Sequence, residues 1–543
     1  MSKLADHLRK HLRGEVLDTK PALDHFSTDG SVLKVRPKTV IYPRSVTDLR
    51  KVTKFCWQLA ERGKSMSITT RGKGTDQSGG AIGDGLVVVM PAHMNKLVDI
   101  DRESVAVQPG MIYGDLQRTL TSHGRFIPPY PASMDYSTIG GAVANNASGE
   151  KSLKYGCTAD YVEELEVVLA NGQTIRTSPL SKRELNKKKG QSDFEGEIYR
   201  NLDGLLADNA DVIEQARPSV SKNSAGYALW DVKRPDGTFD LSRLIVGSQG
   251  TLGIVSEVTM RTEKYNPDTH LIAAFFPDIE KAKDAVVALQ KLEPSAVEIV
   301  DDNLLRMVQR HQPDQLKGII EGDLPRAVML IEFDEEKTSV RKRKAKKAQK
   351  LIKDLAHEIR VSDDYDEQED LWKIRRSAST IVWMKDGNKS ALPAIDDAVV
   401  PLERMADFMT GVGKLFAHHN LEVAIWGHAG DANFHMQPLL NLQDAADRQT
   451  LFRLMDDFYK MVIAAGGSTS GEHSDGRMRA PYLEELYGQH IYALFKEVKQ
   501  IFDPLNILNP GVKIGTDRDT LRKQLRQEYD NGKLYDHMPQ AHT

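Results

Sequence analysis

Arg71-Gly72-Lys73-Gly74-Thr75-Asp76-Gln77-Ser78-Gly79-Gly80 follows a short apolar strand pattern, Ser67-Ile68-Thr69-Thr70. Its glycines expose backbone N–H groups with no Cβ to block approach, and consecutive N–H groups of this kind suit a diphosphate. A second loop, Pro131 to Gly149, repeats the arrangement with hydroxyl and amide side-chain donors added. Two separated donor loops fit a long dinucleotide. A third element, Gly247-Ser248-Gln249-Gly250-Thr251-Leu252-Gly253-Ile254-Val255, runs from a glycine-rich turn into a β-branched segment. None of the three reads G-x-G-x-x-G between a strand and a helix, which argues against a Rossmann dinucleotide site. Glycine also marks ordinary turns, so the weight lies on the combination.

The second signal is Gly427-His428-Ala429-Gly430-Asp431-Ala432-Asn433-Phe434-His435, answered later by Gly471-Glu472-His473. A turn rich in Gly and Asp separates His428 from His435, so one ring can leave a strand as the other enters the next and both can converge. Neutral imidazole with carboxylate is a ligand set that zinc, manganese and iron accept, with coordination positions left open. Neighbours on a strand point to opposite faces, so one of Glu472 and His473 is expected to ligate while the other handles protons.

Composition bounds the reading. At 543 residues and 40% hydrophobic, the chain is long enough for two or three cores, and a formal net charge of -4 argues against a general nucleic-acid binder. Cys56 and Cys157 form no C-x-x-C set, so neither an iron–sulfur module nor a disulfide framework is expected. No apolar run of about 18 residues suggests a membrane span. Met1 to Leu17 is charged throughout and lacks the apolar stretch of a secretory signal, with Leu4 to Leu17 fitting a short amphipathic helix. The expectation is a cytoplasmic protein.

The chain divides into residues 1–265, 266–484 and 485–543. In the first part, short strand patterns (Leu86–Met90, Val105–Gln108, Val162–Ala170, Leu244–Val246) alternate with turns and helices, and Ser45 is expected to cap a helix through Ala60. A linker-like shift falls at Lys264-Tyr265-Asn266-Pro267-Asp268. Beyond it, strand, helix, strand occurs twice over (Leu271–Phe276, Ile279–Leu292, Ala296–Val300, then Ala327–Phe333, Lys337–Leu355, His357–Val361) and predicts a ferredoxin-like sheet with helices on one face. Leu421–Trp426 reads as the strand that delivers His428, and Tyr487–Phe502 as a helix returning the chain to the first domain. The basic runs Arg341–Lys347, in a helical stretch, and Lys187–Lys189, in a polar loop, read as solvated faces.

The R-G-x-G-T and S-G-G pattern, Ile139 to Asn146, the pair Tyr155-Gly156 and the Gly247-to-Val255 segment resemble the FAD-binding domain of the vanillyl-alcohol oxidase/p-cresol methylhydroxylase flavoproteins. The His motif, Glu472-His473 and the closing Phe502 to Gly511 resemble the D-2-hydroxyacid dehydrogenases of that superfamily, which act on D-lactate, glycolate or D-2-hydroxyglutarate. The resemblance runs from about Val40 to Lys513 and implies an α+β protein: a two-subdomain FAD-binding domain, a ferredoxin-like α/β cap and a helical C-terminal segment. It implies that Arg71, Gly72, Lys73, Gly74, Thr75, Ser78, Gly79, Pro131, Ser133, Gly140, Gly141, Asn145, Ser148, Gly149, Tyr155, Gly156, Gly253, Ile254 and Asn509 meet FAD. No His precedes the first loop in position for flavin linkage, so the FAD is expected to be non-covalent. The chain departs from the family pattern at Asp76 and Ala432, both usually Gly, at Gln249, usually Glu, and at Ser474, usually Gly. An added carboxylate at Asp76 would repel a diphosphate unless it turned away or bound a cation.

The implied chemistry is oxidation of a D-2-hydroxy acid to the 2-oxo acid. His428, His435 and Glu472 would hold a divalent Zn, Mn or Fe ion that chelates the substrate's carboxylate and hydroxyl. His473 would be the base, and hydride would pass from C2 to flavin N5. Arg375 resembles the arginine that grips the substrate carboxylate, with Arg376 as its rival and Lys389 and Asn433 as weaker candidates. Electrons would leave through a quinone, a cytochrome or an electron-transfer flavoprotein. Contact of the basic runs with an anionic inner-membrane surface and a homodimer are kept open. The alternatives are a non-redox transferase like the alkyl-glycerone-phosphate synthases, which carry His-His where this chain has Glu472-His473, and a non-catalytic flavoprotein subunit.

Overall fold

A computed structural model describes residues 2–311, 313–320, 322–381 and 385–530. Among the described residues, the N-terminal half contains two larger sheets and a two-stranded pairing of Arg125–Phe126 with Glu263–Lys264. In the four-stranded one, Glu15–Leu17, Thr39–Tyr42, Leu86–Val89 and Ile68–Arg71 lie side by side, the last three parallel. The five-stranded sheet, in the order Leu97–Ile100, Ser104–Val107, Ile254–Arg261, Val162–Val168, Thr174–Thr177, is antiparallel throughout. Val88 and Leu86 from one sheet and Val168 and Ile254 from the other share a core with Leu49, Val52 and Cys56 of the helix Val46–Glu61. Ser45 precedes that helix without making a capping bond. Asp48 instead accepts from the amides of Arg13, Gly14 and Arg44, each at 3.0 Å.

Two local expectations are corrected. Leu244–Val246 is not a strand: Ser242–Ile245 is a helical turn whose entry is fixed by the Ser242 amide donating to Asp240 at 3.0 Å. A short apolar run carries no period of its own and takes the form its flanks dictate. Lys187–Lys189 lie in the helix Lys182–Lys189, started by a reciprocal Ser181–Glu184 cap, and Lys188 and Lys189 reach Glu195 and Asp203 at 2.5 Å each.

The second half is built on a nine-stranded sheet. Glu358–Ser362, His270–Phe276, Ala327–Phe333 and Ala296–Asp301 are adjacent in that order, which is the ferredoxin-like arrangement of the repeated unit. Helices Ile279–Gln290 and Thr338–Ile352 cover one face. The other face, which the repeat left open, packs Leu304, Leu305 and Val308 of Asp302–His311 and Leu371, Trp372 and Ile374 of Tyr365–Ile381.

The sheet continues through Val423–His428 and Asn433–Leu440, paired so that Glu298 opposes His428 and Trp426 opposes His435. Strand alternation then decides which residues can meet. Ile299, Ile425, Phe434 and Met436 enter the first core, while Val300, Ala424 and Trp426 join the second. Glu298, His428, His435 and Gln437 therefore share the face turned toward the helix carrying Arg375. Near the C-terminal end the chain meets the four-stranded sheet: the amides of Ile68 and Asn509 bond Ile507 and Ile68 carbonyls at 2.7 and 2.8 Å, directly beside the strand that feeds the first glycine loop.

Candidate active site

Nε2 of His428 and Nε2 of His435 converge on one oxygen of Glu472, Oε1, at 3.1 and 3.2 Å. These three donor atoms lie within 4.8 Å of one another, and all three side chains are buried. Behind each imidazole stands a carboxylate: Glu298 Oε1 is 2.7 Å from His428 Nδ1, and Asp396 Oδ1 is 3.1 Å from His435 Nδ1. A carboxylate on Nδ1 holds the proton there and turns the Nε2 lone pair outward, the usual support of a metal-binding histidine. The donor set therefore fits a divalent cation. Burial opposes ionisation of Glu298, but the nearby His428 and Arg375 outweigh it and hold its pKa at about 2. Burial likewise disfavours a charged His435, yet Asp396 and Glu472 raise its pKa to about 10, so an incoming cation must displace a proton from this cluster.

Glu472 and His473 lie in a bend rather than a strand, so the expected opposition of neighbouring side chains does not apply. Both reach His435: Glu472 through Oε1, and His473 by stacking on its ring at 5.0 Å between centroids. His473 Nδ1 is 2.9 Å from Asp396 Oδ2, and the ring is half-buried where it lines the cavity. Asp396 thus addresses two imidazoles, one with each oxygen. The next residue, Asp397, accepts from the amides of Glu472 and His473 at 3.0 and 2.8 Å and from Ser470 Oγ at 2.6 Å, which fixes the bend.

Arg375 and Arg376 part company. Both line the cavity, but Arg375 is buried and donates from Nε to Glu298 Oε2 at 2.6 Å, whereas Arg376 is exposed and paired through both terminal nitrogens with Glu369 at 2.6 and 2.8 Å. Asn433 donates to Asp397 Oδ1 and the Ala398 carbonyl, and Lys389 is exposed away from the cavity lining.

One cavity of about 1090 Å³ joins this cluster to the glycine loops. Arg71, Gly72, Lys73, Gly74, Thr75, Pro131, Ser133, Gly140, Gly141, Asn145, Ser148 and Gly253 line it together with His428, His435, Glu472 and His473. Gly72 lets the two loops touch: a Cβ there would sit 2.4 Å from Thr138 Oγ1. Arg71, buried, donates from Nη1 to the Thr28 carbonyl at 2.7 Å, while Nη2 has no partner among the described residues. A buried guanidinium with a donor to spare beside N–H-rich loops fits an anionic cofactor.

Ser78, Gly79, Gly149, Tyr155, Gly156, Ile254 and Asn509 stand behind the cavity lining instead. Asn509 clamps the first loop, accepting from Thr69 Oγ1 at 2.9 Å and donating to the Gly80 and Gln249 carbonyls. Tyr155 donates across to Asp334, just past the strand Ala327–Phe333, at 2.9 Å, and Ile254 is core. Asp76 lines the cavity and accepts from Gly80 N (2.7 Å), Ser78 Oγ (2.9 Å) and Asn145 Nδ2 (3.1 Å), so its charge is met by donors of the loops themselves. Ala432, which stands where the family usually has glycine, has a left-handed φ of 49°.

Residues the sequence reading missed include Glu298, Asp396, Asp397, Lys222, Trp426 and Gln437. A lone charge inside the apolar strand Ala296-Val297-Glu298-Ile299-Val300 was one available signal. Strand alternation back from His428 and forward from His435 would have found Trp426 and Gln437, both in the cavity wall.

Residues 266–512 match the family described as FAD linked oxidases, C-terminal domain, and residues 37–178 match the FAD binding domain. Among curated proteins, glycolate oxidase subunit GlcD of Bacillus subtilis is 31% identical over 89% of this chain and 90% of its own length. D-lactate dehydrogenase of Anaerostipes hadrus is 27% identical over 88% and 90%. D-2-hydroxyglutarate dehydrogenase of Escherichia coli is 28% identical over 90% of this chain, but the chain spans only 49% of that protein. In fold, the chain is similar to 4-ethylphenol oxidase from Gulosibacter chungangensis, with a TM-score of 0.64 at 15% identity over 93% and 95% of the two chains. An alkyldihydroxyacetonephosphate synthase aligns with a TM-score of 0.60, also at 15% identity, over 94% and 86%. With both domains matched in order and a relative sharing nearly its full length, the chain belongs to the FAD-linked oxidases of the vanillyl-alcohol oxidase/p-cresol methylhydroxylase fold.

Proposed function

We propose that this FAD-linked oxidoreductase oxidises a D-2-hydroxy acid to the 2-oxo acid, with the substrate anchored on a divalent cation. The observation that carries the reading is the convergence of His428 Nε2 and His435 Nε2 on Glu472 Oε1 in the wall of a cavity shared with both glycine loops. When bound, FAD supplies the two-electron acceptor and the cation a Lewis acid that eases loss of a hydroxyl proton.

The chain's own residues do the rest. His428, His435 and Glu472 would hold the cation, and the Arg375 guanidinium, oriented by Glu298, would take the substrate carboxylate through its terminal nitrogens. His473, with Nδ1 facing Asp396, has Nε2 left to receive the hydroxyl proton. Burial alone would disfavour its charged form, but Asp397 and Asp396 raise its proton affinity, which suits a base that must hold the proton it takes. Trp426 and Gln437, also in the wall, would meet the substrate beyond C2.

The test is anaerobic addition of D-lactate, glycolate and D-2-hydroxyglutarate, each alone, to FAD-loaded, cation-replete protein. Bleaching of the flavin absorbance by at least one is expected, and an L-enantiomer should be ineffective. Failure of all three rejects the reading.

A further inference from the structure

Glu472 divides its two oxygens between two tasks. Oε1 faces the two imidazole Nε2 atoms. Oε2 accepts from Ser148 Oγ at 2.6 Å and from Lys222 Nζ at 2.8 Å. Both of those donors come from the N-terminal half of the chain, whereas the imidazoles come from the large sheet. Lys222 is 8% exposed, and its ammonium also donates to Ser148 Oγ at 3.0 Å and Ser152 Oγ at 3.3 Å. Ser152 in turn donates to Asp431, in the turn between the two histidine strands, and Ser221 beside Lys222 donates to the Asp431 carbonyl at 2.8 Å. The ammonium therefore sits at the seam of the two domains, donating to Glu472, Ser148 and Ser152.

We infer that Lys222 is a positioning residue that reserves Oε2 of Glu472, so that this carboxylate offers a cation one oxygen and leaves the remaining positions to substrate. A free carboxylate beside a divalent cation readily turns to give both oxygens, and each position it fills is lost to a chelating hydroxy acid. Removing the ammonium would release Oε2 toward the cation and would also remove a like charge from its neighbourhood. The consequence is counterintuitive and separates this role from mere packing: without Lys222, cation affinity is retained or increased, while the coordination changes. The inference rests on the cation reading above.

Co²⁺ alone is the probe, titrated into FAD-loaded protein freed of other divalent ions, with binding and the visible Co²⁺ spectrum both recorded after subtraction of the flavin. Lys222→Met should bind Co²⁺ at least as tightly as the unaltered protein and give a different spectrum. Ser148→Ala, which leaves Lys222 on Oε2, should keep the original spectrum. Lys222→Gln, which keeps a neutral donor of similar length, provides the same comparison if the Met variant does not fold, and should lie between the two. An unchanged spectrum in the Lys222 variants, or a tenfold or greater loss of Co²⁺ affinity with no spectral change, overturns the inference and leaves the cation site standing. Absence of Co²⁺ binding to the unaltered protein overturns the cation reading and this inference with it.

Discussion

Replacing Glu298 by Gln tests how far one buried carboxylate holds the site together. Glu298 is 0% exposed and lies between two donors, His428 Nδ1 at 2.7 Å and Arg375 Nε at 2.6 Å. An amide of the same shape keeps one acceptor and puts an NH₂ against the other donor. If the NH₂ faces His428, the ring must accept at Nδ1 and carry its proton on Nε2, the atom that should meet the cation. If it faces Arg375, two donors oppose each other, and in either orientation the buried guanidinium loses its counter-charge. Breaking a buried ion pair from one side typically costs about 3–5 kcal/mol. Loss of a carboxylate behind a ligating histidine typically weakens metal binding by about 10–100-fold. The Glu298→Gln protein should therefore unfold at lower denaturant and lose cation affinity in a chelator-competition titration. A variant with unchanged affinity and an unchanged unfolding midpoint would refute the assignment of Glu298 as the shared support.

Three further outcomes are expected. His473→Ala should fold and bind FAD but lower the rate of flavin reduction by about 10²–10⁴-fold, measured by rapid mixing with substrate; a rate within a factor of a few of the unaltered protein removes His473 from the proton step. Asp301 is raised to about 7, chiefly by burial and against the amides of Leu304 and Ile425 that bond it. Its proton is bound more tightly in the folded than the unfolded state, so its contribution should be fully present below about pH 4 and lost as pH rises toward 7. Asp301→Asn should flatten that stretch of a stability-versus-pH curve obtained by chemical denaturation, and an unchanged slope contradicts the assignment. Ala432→Gly should stabilise the protein by roughly 0.5–1 kcal/mol, since the left-handed conformation costs an L-residue about 1–2 kcal/mol and glycine returns part of that as unfolded-chain entropy; a lower melting midpoint would show that the methyl group's packing dominates.

The sequence showed the two glycine loops, the ferredoxin-like repeat and the paired histidine strands because each rests on local pattern. Glycine clusters, apolar alternation and a polar turn between two His are all readable within ten or twenty residues. The supports were harder to see. Glu298 lies 130 residues before the ring it holds, and Lys222 lies 250 residues before Glu472. Only the pairing of Ala296–Asp301 with Val423–His428, and the docking of the two halves, bring them together. Asp396 and Asp397 look like one acidic pair in the chain, yet one aligns imidazoles and the other holds backbone amides. Asn509 was expected at the cofactor because it lies in a family motif, and it instead buttresses the loop from behind. Motif membership marks a neighbourhood, and only the packed structure distinguishes the groups that face the cavity from those that brace it.

The central claim is that a cation held by His428, His435 and Glu472 anchors the substrate during flavin reduction. The direct measurement is anaerobic flavin bleaching by the best D-2-hydroxy acid in one FAD-loaded preparation before chelation, after chelation verified by elemental analysis, and after the cation is restored. Bleaching that disappears on stripping and returns on restoration, with FAD retained throughout, is the predicted result. Undiminished bleaching in protein shown to contain no divalent cation would contradict it.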